Sequence, residues 1–262
     1  MKMSRSGPKN IVITGASSGI GAGLAGHYAT PGITLHLQGR NAQRLEQIAE
    51  KCRARGAIVH SRILDVTHEA GMNQWLSSID ANTPIDLIIA NAGISAGTGI
   101  HGENGKQVRE IFAANIGGVV NTVTPLLSAM IARKSGQIAI MSSLAGLRGL
   151  PSCPAYSASK SCVRAYGEGL RGWLAAQGVE VSVICPGYVA TAMTAINTFP
   201  MPFMMSAEKA ARIIARGLAK NKARIAFPWM LYYPMRFFSC LPVWLTDPLF
   251  SRLPAKDATS GQ

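Results

Sequence analysis

The chain has 262 residues, 48% of them hydrophobic and 15% charged, with 27 glycines, a balance that suits a globular chain rich in tight turns and large enough for one α/β domain or two small ones. Its five cysteines (Cys52, Cys153, Cys162, Cys185 and Cys240) include no C-x-x-C pair and are odd in number, which argues for reduced thiols in a cytosolic compartment and against a disulfide framework or a metal site. The formal charge of +13 is spread widely, without a zinc-finger, RNP or helix-turn-helix signature and with only 6% aromatic residues, so nucleic acid is not indicated; the phosphates of a cofactor or an anionic lipid surface account for the charge at least as well.

The basic start "MKMSRSGPKN" is followed by a short apolar run broken at once by "TGASSGIG", which is not the pattern of a secretory signal. Seven short apolar runs are expected as strands: 10–14, 33–38, 57–63, 85–90, 136–142, 179–185 and 223–227. Helical segments are expected between them, near 19–29, 41–55, 67–79, 106–133, 155–177 and 206–220. This alternation predicts an α/β chain with a parallel sheet covered on both faces. Right-handed crossovers make it a single doubly wound, Rossmann-like domain over 1–227, with ligands at the carboxyl ends of the strands.

Those ends carry the unusual residues. The first strand runs into "TGASSGIG", where Gly15, Gly19 and Gly21 allow a tight turn and close approach of backbone to a pyrophosphate at a helix start. The spacing is G-x-x-x-G-x-G and not G-x-G-x-x-G. The second strand ends in "LQGRN". An acidic residue here would hold the ribose 2′-hydroxyl of NAD, whereas the guanidinium of Arg40 suits a 2′-phosphate and favours NADP(H). In "AYSASK", Tyr156 and Lys160 stand one helical turn apart, so an ammonium is expected beside a phenol and to lower its pKa.

Together these residues resemble the short-chain dehydrogenase/reductase family. The likeness runs from about residue 10 to residue 227 through "TGASSGIG", "LDVT" at 64–67, "NAG" at 91–93, Asn115 in "AANIGG", "SS" at 142–143, "YSASK" and "PGYVAT" at 186–191. The resemblance implies a cofactor site of Gly15, Ser17, Ser18, Gly19, Ile20, Gly21, Arg40, Asp65, Val66, Asn91, Ala92, Gly93, Tyr156, Lys160, Pro186, Gly187, Val189 and Thr191. Within it, Ser17 and Arg40 would meet the 2′-phosphate, Asp65 the adenine and Thr191 the carboxamide. Asn91 would steady the central sheet, and Lys160 would hydrogen-bond the nicotinamide ribose.

The implied catalytic set is Asn115, Ser143, Tyr156 and Lys160. Carbonyl reduction needs a proton as hydride arrives, which a phenol can supply, and a second donor to polarise the oxygen. Ser143, at the end of the fifth strand, suits that second role, and its spacing to Tyr156 matches the family, with Ser142 as the alternative; the resemblance implies that Asn115 would hold a water in a relay from Lys160. The resemblance also implies a homodimer or homotetramer paired through the helices near 106–133 and 155–177. A non-catalytic NADP(H)-binding regulator would typically lack the Tyr or the Lys. A nucleotide-sugar epimerase or dehydratase would carry a longer substrate domain.

The loop after "PGYVAT" brings Met193, Phe199, Met201, Phe203, Met204 and Met205, and no charged residue occurs between Thr191 and Ser206. A hydrophobic ketone or aldehyde, of a lipid-like or 3-oxo kind, is the expected substrate. Beyond 227 lies a hydrophobic and basic tail, 228–262, in which Arg236 is the only charge from Ile225 to Leu245. That length could span a bilayer, but Pro228, Pro234, Pro242 and the mid-stretch Arg236 argue against a spanning helix. The tail is expected either to fold back as a lid or subunit contact, or to lie in a membrane interface beside Lys209, Arg212, Arg216, Lys220, Lys222, Arg224 and Arg252. The second alternative is preferred, giving a cytoplasmic protein held peripherally on a membrane.

Overall fold

The protein is described by a computed structural model over residues 7–99, 102–195, 197 and 199–251; the two ends of the chain, Arg252 among them, lie outside the described residues. Seven apolar runs form strands β1 Asn10–Ile13, β2 Thr34–Gly39, β3 Ile58–Ile63, β4 Leu87–Ala90, β5 Gln137–Met141, β6 Glu180–Pro186 and β7 Arg224–Phe227. Every pairing is parallel, in the order β3-β2-β1-β4-β5-β6-β7. Parallel neighbours need crossovers, and helices supply them.

Because helices cover both faces, the central strands are apolar on both sides. Along β1 the alternation is visible: Ile11 and Ile13 enter one core, Val12 the other. The first core packs β1 and β2 under α1 Gly19–Tyr28, α2 Ala42–Arg53 and α8 Ala207–Ala219, through Leu24, Leu45, Ala49 and Ile214. The second packs the opposite face under α3 Glu69–Asn82, α5 Gly118–Ala132 and α6 Pro154–Leu174, through Met72, Leu76, Val123, Leu126 and Val163.

The helix expected over 106–133 comes in three parts: α4 Gly105–Phe112, a π-helical turn Ala113–Gly117, and α5. In the π turn the Gly118 N–H donates to the Ala113 carbonyl, five residues back. By length and composition 105–132 could cross a membrane, yet Val119, Val123, Leu126 and Met130 are buried in the second core.

After α7 Ala192–Ala195 and α8, the tail turns back as two short helices, α9 Trp229–Phe238 and α10 Val243–Phe250. Pro228 and Pro242 immediately precede their first turns, where a missing N–H costs nothing. The strand order reverses between β1 and β4, and a crevice opens at the carboxyl ends there, as such switch points require.

Candidate active site

The crevice is a cavity of about 1430 Å³. At its floor the β1–α1 turn needs its glycines. Gly15 and Gly19 have φ of +66° and +55°, the left-handed region. A Cβ on Gly21 would stand 2.2 Å from the Gly15 carbonyl oxygen. Ser18 precedes α1 in extended conformation and makes no side-chain cap, so the first-turn N–H groups are left for an anion.

Three loops are tied to this turn by polar side chains that the strand pattern did not single out. The Gly15 N–H donates to Gln38 Oε1 at 3.0 Å, and Gln38 Nε2 donates to the Leu64 carbonyl. Thr14 Oγ1 accepts from the N–H groups of Asn91 and Ala92 at 3.0 and 3.1 Å. Asn91 Nδ2 returns to the carbonyls of Thr14 and Gly15 at 2.9 and 3.3 Å. A polar residue at the carboxyl end of an otherwise apolar strand was the available signal for Thr14 and Gln38. Buried polar groups of this kind must be paired, which makes the ties stiff.

At the β2 end of the cavity Arg40 and Arg44 line the wall with Ser17 and Asp65. Arg40 is exposed and lies 3.7 Å from Asp65, whose Oδ1 is fixed by the N–H and hydroxyl of Thr67 at 2.9 and 2.8 Å. A Cβ on Gly39 would sit 3.1 Å from Ser17, so a side chain there would crowd the serine. Ile20, Val66, Gly93, Pro186, Gly187, Val189 and Thr191 also line the cavity. Gly21 and Asn115 are not among its lining residues.

The opposite end carries the reactive groups. Ser143 hydrogen-bonds the Tyr156 hydroxyl, and both line the cavity with Lys160. Ser142 is buried and donates to the Lys160 carbonyl at 2.7 Å, so between the two serines it is Ser143 that meets the phenol. Lys160 is buried, donates from Nζ to the Met141 carbonyl at 2.9 Å and lies 5.8 Å from the Tyr156 ring centroid.

The ammonium was expected to lower the Tyr156 pKa. Instead burial dominates and pushes the phenol up to about 12, with the Ser143 hydrogen bond pulling the other way. Burial also pushes Lys160 down to about 8. Both shifts favour the neutral form, as desolvation requires.

Asn115 occupies the π turn and is fully buried. Its Oδ1 accepts from the Ile94 N–H at 2.8 Å, and its Nδ2 donates to the Ile94 carbonyl and Ser159 Oγ, both at 2.9 Å. The side chain therefore holds the loop after β4 to the helix that bears Tyr156.

Of the six apolar residues expected to line the substrate end, Met193 and Phe199 do so. Met205 is buried, bridged to Val189, while Phe203 and Met204 are exposed. The wall is instead completed by the tail, through Leu231, Pro234, Met235, Phe238, Leu249 and Phe250. Cys153 is buried and also lines the cavity. Arg148 fastens α10: it pairs with Asp247 at 2.8 Å and lies 4.6 Å over the Phe250 ring. Away from Arg40, Arg44 and Asp65, the charged side chains of the wall are Lys160 and Glu110 alone among the described residues.

A Gly-rich β1–α1 turn and a Ser–Tyr–Lys cluster facing one crevice of a doubly wound sheet define an oxidoreductase site. Residues 9–199 match the short chain dehydrogenase family, and the chain belongs to it. An uncharacterized oxidoreductase of Myxococcus xanthus is 37% identical over 246 residues, covering 94% of this chain and 97% of its own. Among solved structures, a short-chain dehydrogenase from Sphingobium yanoikuyae in complex with NADPH superposes with TM-score 0.79 at 22% identity, covering 96% and 98% of the two chains. The bulky-bulky ketone specific alcohol dehydrogenase from Comamonas testosteroni gives 0.77 at 22%, covering 96% and 97%. At that identity the two structures carry the fold.

Proposed function

We propose that this oxidoreductase uses NADPH to reduce the carbonyl of a bulky, apolar ketone, with Tyr156 as proton donor. The observation that carries the reading is the Ser143–Tyr156 contact at the apolar end of a cavity whose other end presents Arg40 and Arg44.

The cofactor is supported first by the cradle. A Cβ on Gly15, Gly19 or Gly21 would collide with Ala92, Thr191 or the Gly15 carbonyl, so only glycines let the turn pack tightly and present its backbone to a pyrophosphate. Ser17, Arg40 and Arg44 offer a hydroxyl and two guanidiniums at the β2 end, where a 2′-phosphate would be held by charge-assisted bonds. NADPH, when bound, supplies the hydride.

The chain's own residues do the rest. Ser143 and Tyr156 offer two hydroxyls to the substrate oxygen, and that pair polarises the carbonyl as charge builds on it. Tyr156, a phenol that is protonated at neutral pH, passes its proton to that oxygen. The Lys160 ammonium lies close enough to stabilise the phenolate left behind.

Substrate class follows from the wall. Away from Arg40, Arg44 and Asp65, a small charged substrate would find no charged partner among the described residues beyond Lys160 and Glu110, whereas Met193, Phe199, Met235 and Phe238 offer apolar surface. The protein named for bulky ketones shares the fold and is consistent with this.

The test compares kcat/KM for NADPH and NADH in the wild type and in Arg40→Asp. Loss of a charge-assisted contact costs about 1.5–3 kcal/mol, so NADPH should be favoured by at least about 10-fold and the variant should lose that preference. Equal use of the two cofactors by the wild type would refute the assignment.

The same reading includes a homodimer or homotetramer through α4–α5 and α6, whose outer sides leave Phe112, Val120 and Trp173 exposed. Light scattering at micromolar concentration should give a multiple of the chain mass. A monomer would contradict it.

A further inference from the structure

The tail helices are apolar on two opposite sides, and the chain uses only one of them. On α9, Leu231, Met235 and Phe238 line the cavity. Trp229, Tyr233 and Phe237 follow the i, i+4, i+8 spacing of a second face, and they are 66%, 63% and 61% exposed. On α10, Val243, Trp244, Leu245 and Leu249 are also exposed, Trp244 to 75%. Eight of the fifteen large apolar side chains exposed among the described residues fall within 229–249. Such a concentration marks a contact surface.

The flank of α9 adds charge. Arg236 lines a second, polar cavity of about 360 Å³ with Arg164, Arg224 and Glu168. Glu168 pairs with both Arg164 and Arg224, and Arg236 donates to Cys240 Sγ at 3.2 Å. The group is thus three guanidiniums to one carboxylate, in a chain of net charge +13.

We propose that the outer face of the α9–α10 hairpin docks on the surface of an anionic phospholipid bilayer. Tryptophan and tyrosine place an apolar ring and a polar tip at the lipid boundary. The guanidinium cluster at the side of the same helix meets the phosphates of the headgroups. A second copy of the chain is the poorer occupant, because a two-fold contact through this face would bring two such clusters together at a net charge of the same sign.

The docking face and the cavity wall meet at Leu249, which lines the cavity and is half-exposed. For the apolar ketone proposed above, and resting on that reading, docking would open the substrate end of the cavity toward the bilayer and not toward water.

The experiment is flotation of the full chain with vesicles of phosphatidylcholine alone and of equal parts phosphatidylcholine and phosphatidylglycerol, at low and high salt. The wild type should float with the mixed vesicles, with a blue shift of tryptophan emission, and high salt should weaken it. Trp229→Ser with Trp244→Ser should weaken flotation by about 10-fold or more, and Arg236→Glu by about 10-fold on mixed vesicles only. NADPH binding measured on each variant confirms that it is folded, and neither readout depends on turnover, so failure here is separable from failure of ketone reduction. Absence of flotation overturns the proposal, as does a double-tryptophan variant that floats like the wild type. A dimer that the double variant dissociates, with no vesicle binding, would make the face a subunit contact and overturn it equally.

Discussion

Tyr156→Phe is expected to lower kcat for NADPH-dependent ketone reduction by at least about 10²-fold, the lower end of what a positioned acid contributes. The substitution removes one oxygen from a side chain at the cavity wall and keeps the ring, so thermal stability and NADPH affinity should stay near wild type. The direction of the pKa shift adds a second, independent outcome. Burial pushes the phenol up to about 12, so at pH 7 it is protonated and fit to donate. In the reverse reaction the same oxygen must accept a proton. Alcohol oxidation should therefore climb as pH rises above neutral, while reduction gains nothing from alkali. Wild-type turnover in Tyr156→Phe would remove the residue from the mechanism, and oxidation that falls with rising pH would contradict its raised pKa.

The second large effect is expected at Lys160. Its ammonium is buried, gives one hydrogen bond to the Met141 carbonyl, and has no carboxylate partner among the described residues. Lys160→Met keeps length and apolar volume and deletes the charge. Turnover should fall on the order of 10²–10³-fold, as when one preorganised donor is lost, and NADPH affinity should weaken through the ribose contact proposed for the same residue.

Stability separates this from a packing defect. Burial lowers the pKa from 10.5 unfolded to about 8 folded, so between those values the folded chain binds fewer protons than the unfolded one. Stability contributed by this group therefore rises from about pH 8 to pH 10.5, and the cost of burying the charge is full below that window. The wild type should show that rise in thermal or urea unfolding, and the variant should lose it. Parallel profiles would contradict the shift, and a variant with full activity would refute the catalytic role.

Much of the frame was legible because apolar strands and their glycine, serine and asparagine punctuation are local signals. All seven strand assignments lie within a residue or two of the observed ones, and the crevice follows from the strand order. The parts that were not legible depend on tertiary contacts. "FAANIGGVV" carries the pair Gly117–Gly118, which weakens a helix but does not specify a π turn; that turn coincides with the Asn115 hydrogen bonds to Ile94 and Ser159, partners 21 and 44 residues away. Tyr156 and Lys160 reveal by spacing that they are neighbours, but spacing says nothing of how dry the site is, and burial sets the sign of the phenol's shift. The substrate wall was assigned to the loop after Thr191, yet Met205 is drawn into the core by its bridge to Val189. The tail, apolar on two opposite sides, gave no clue to which of them turns inward.

The π turn at 113–117 also says how the site tolerates change in chain length. It carries one residue more than a continuous α-helix would need. Deleting one of the five would let 105–132 close into regular helix, with the Ala113–Gly118 hydrogen bond becoming an ordinary i, i+4 one, so α4 and α5 would keep their faces and Ile111 its place against Ala96 and Ala155. What would be lost is the bulge itself, and with it the reach of Asn115 to Ile94 and Ser159. The loop after β4 is thus held by a surplus residue, so this segment admits exchange of side chains more readily than loss of a single position.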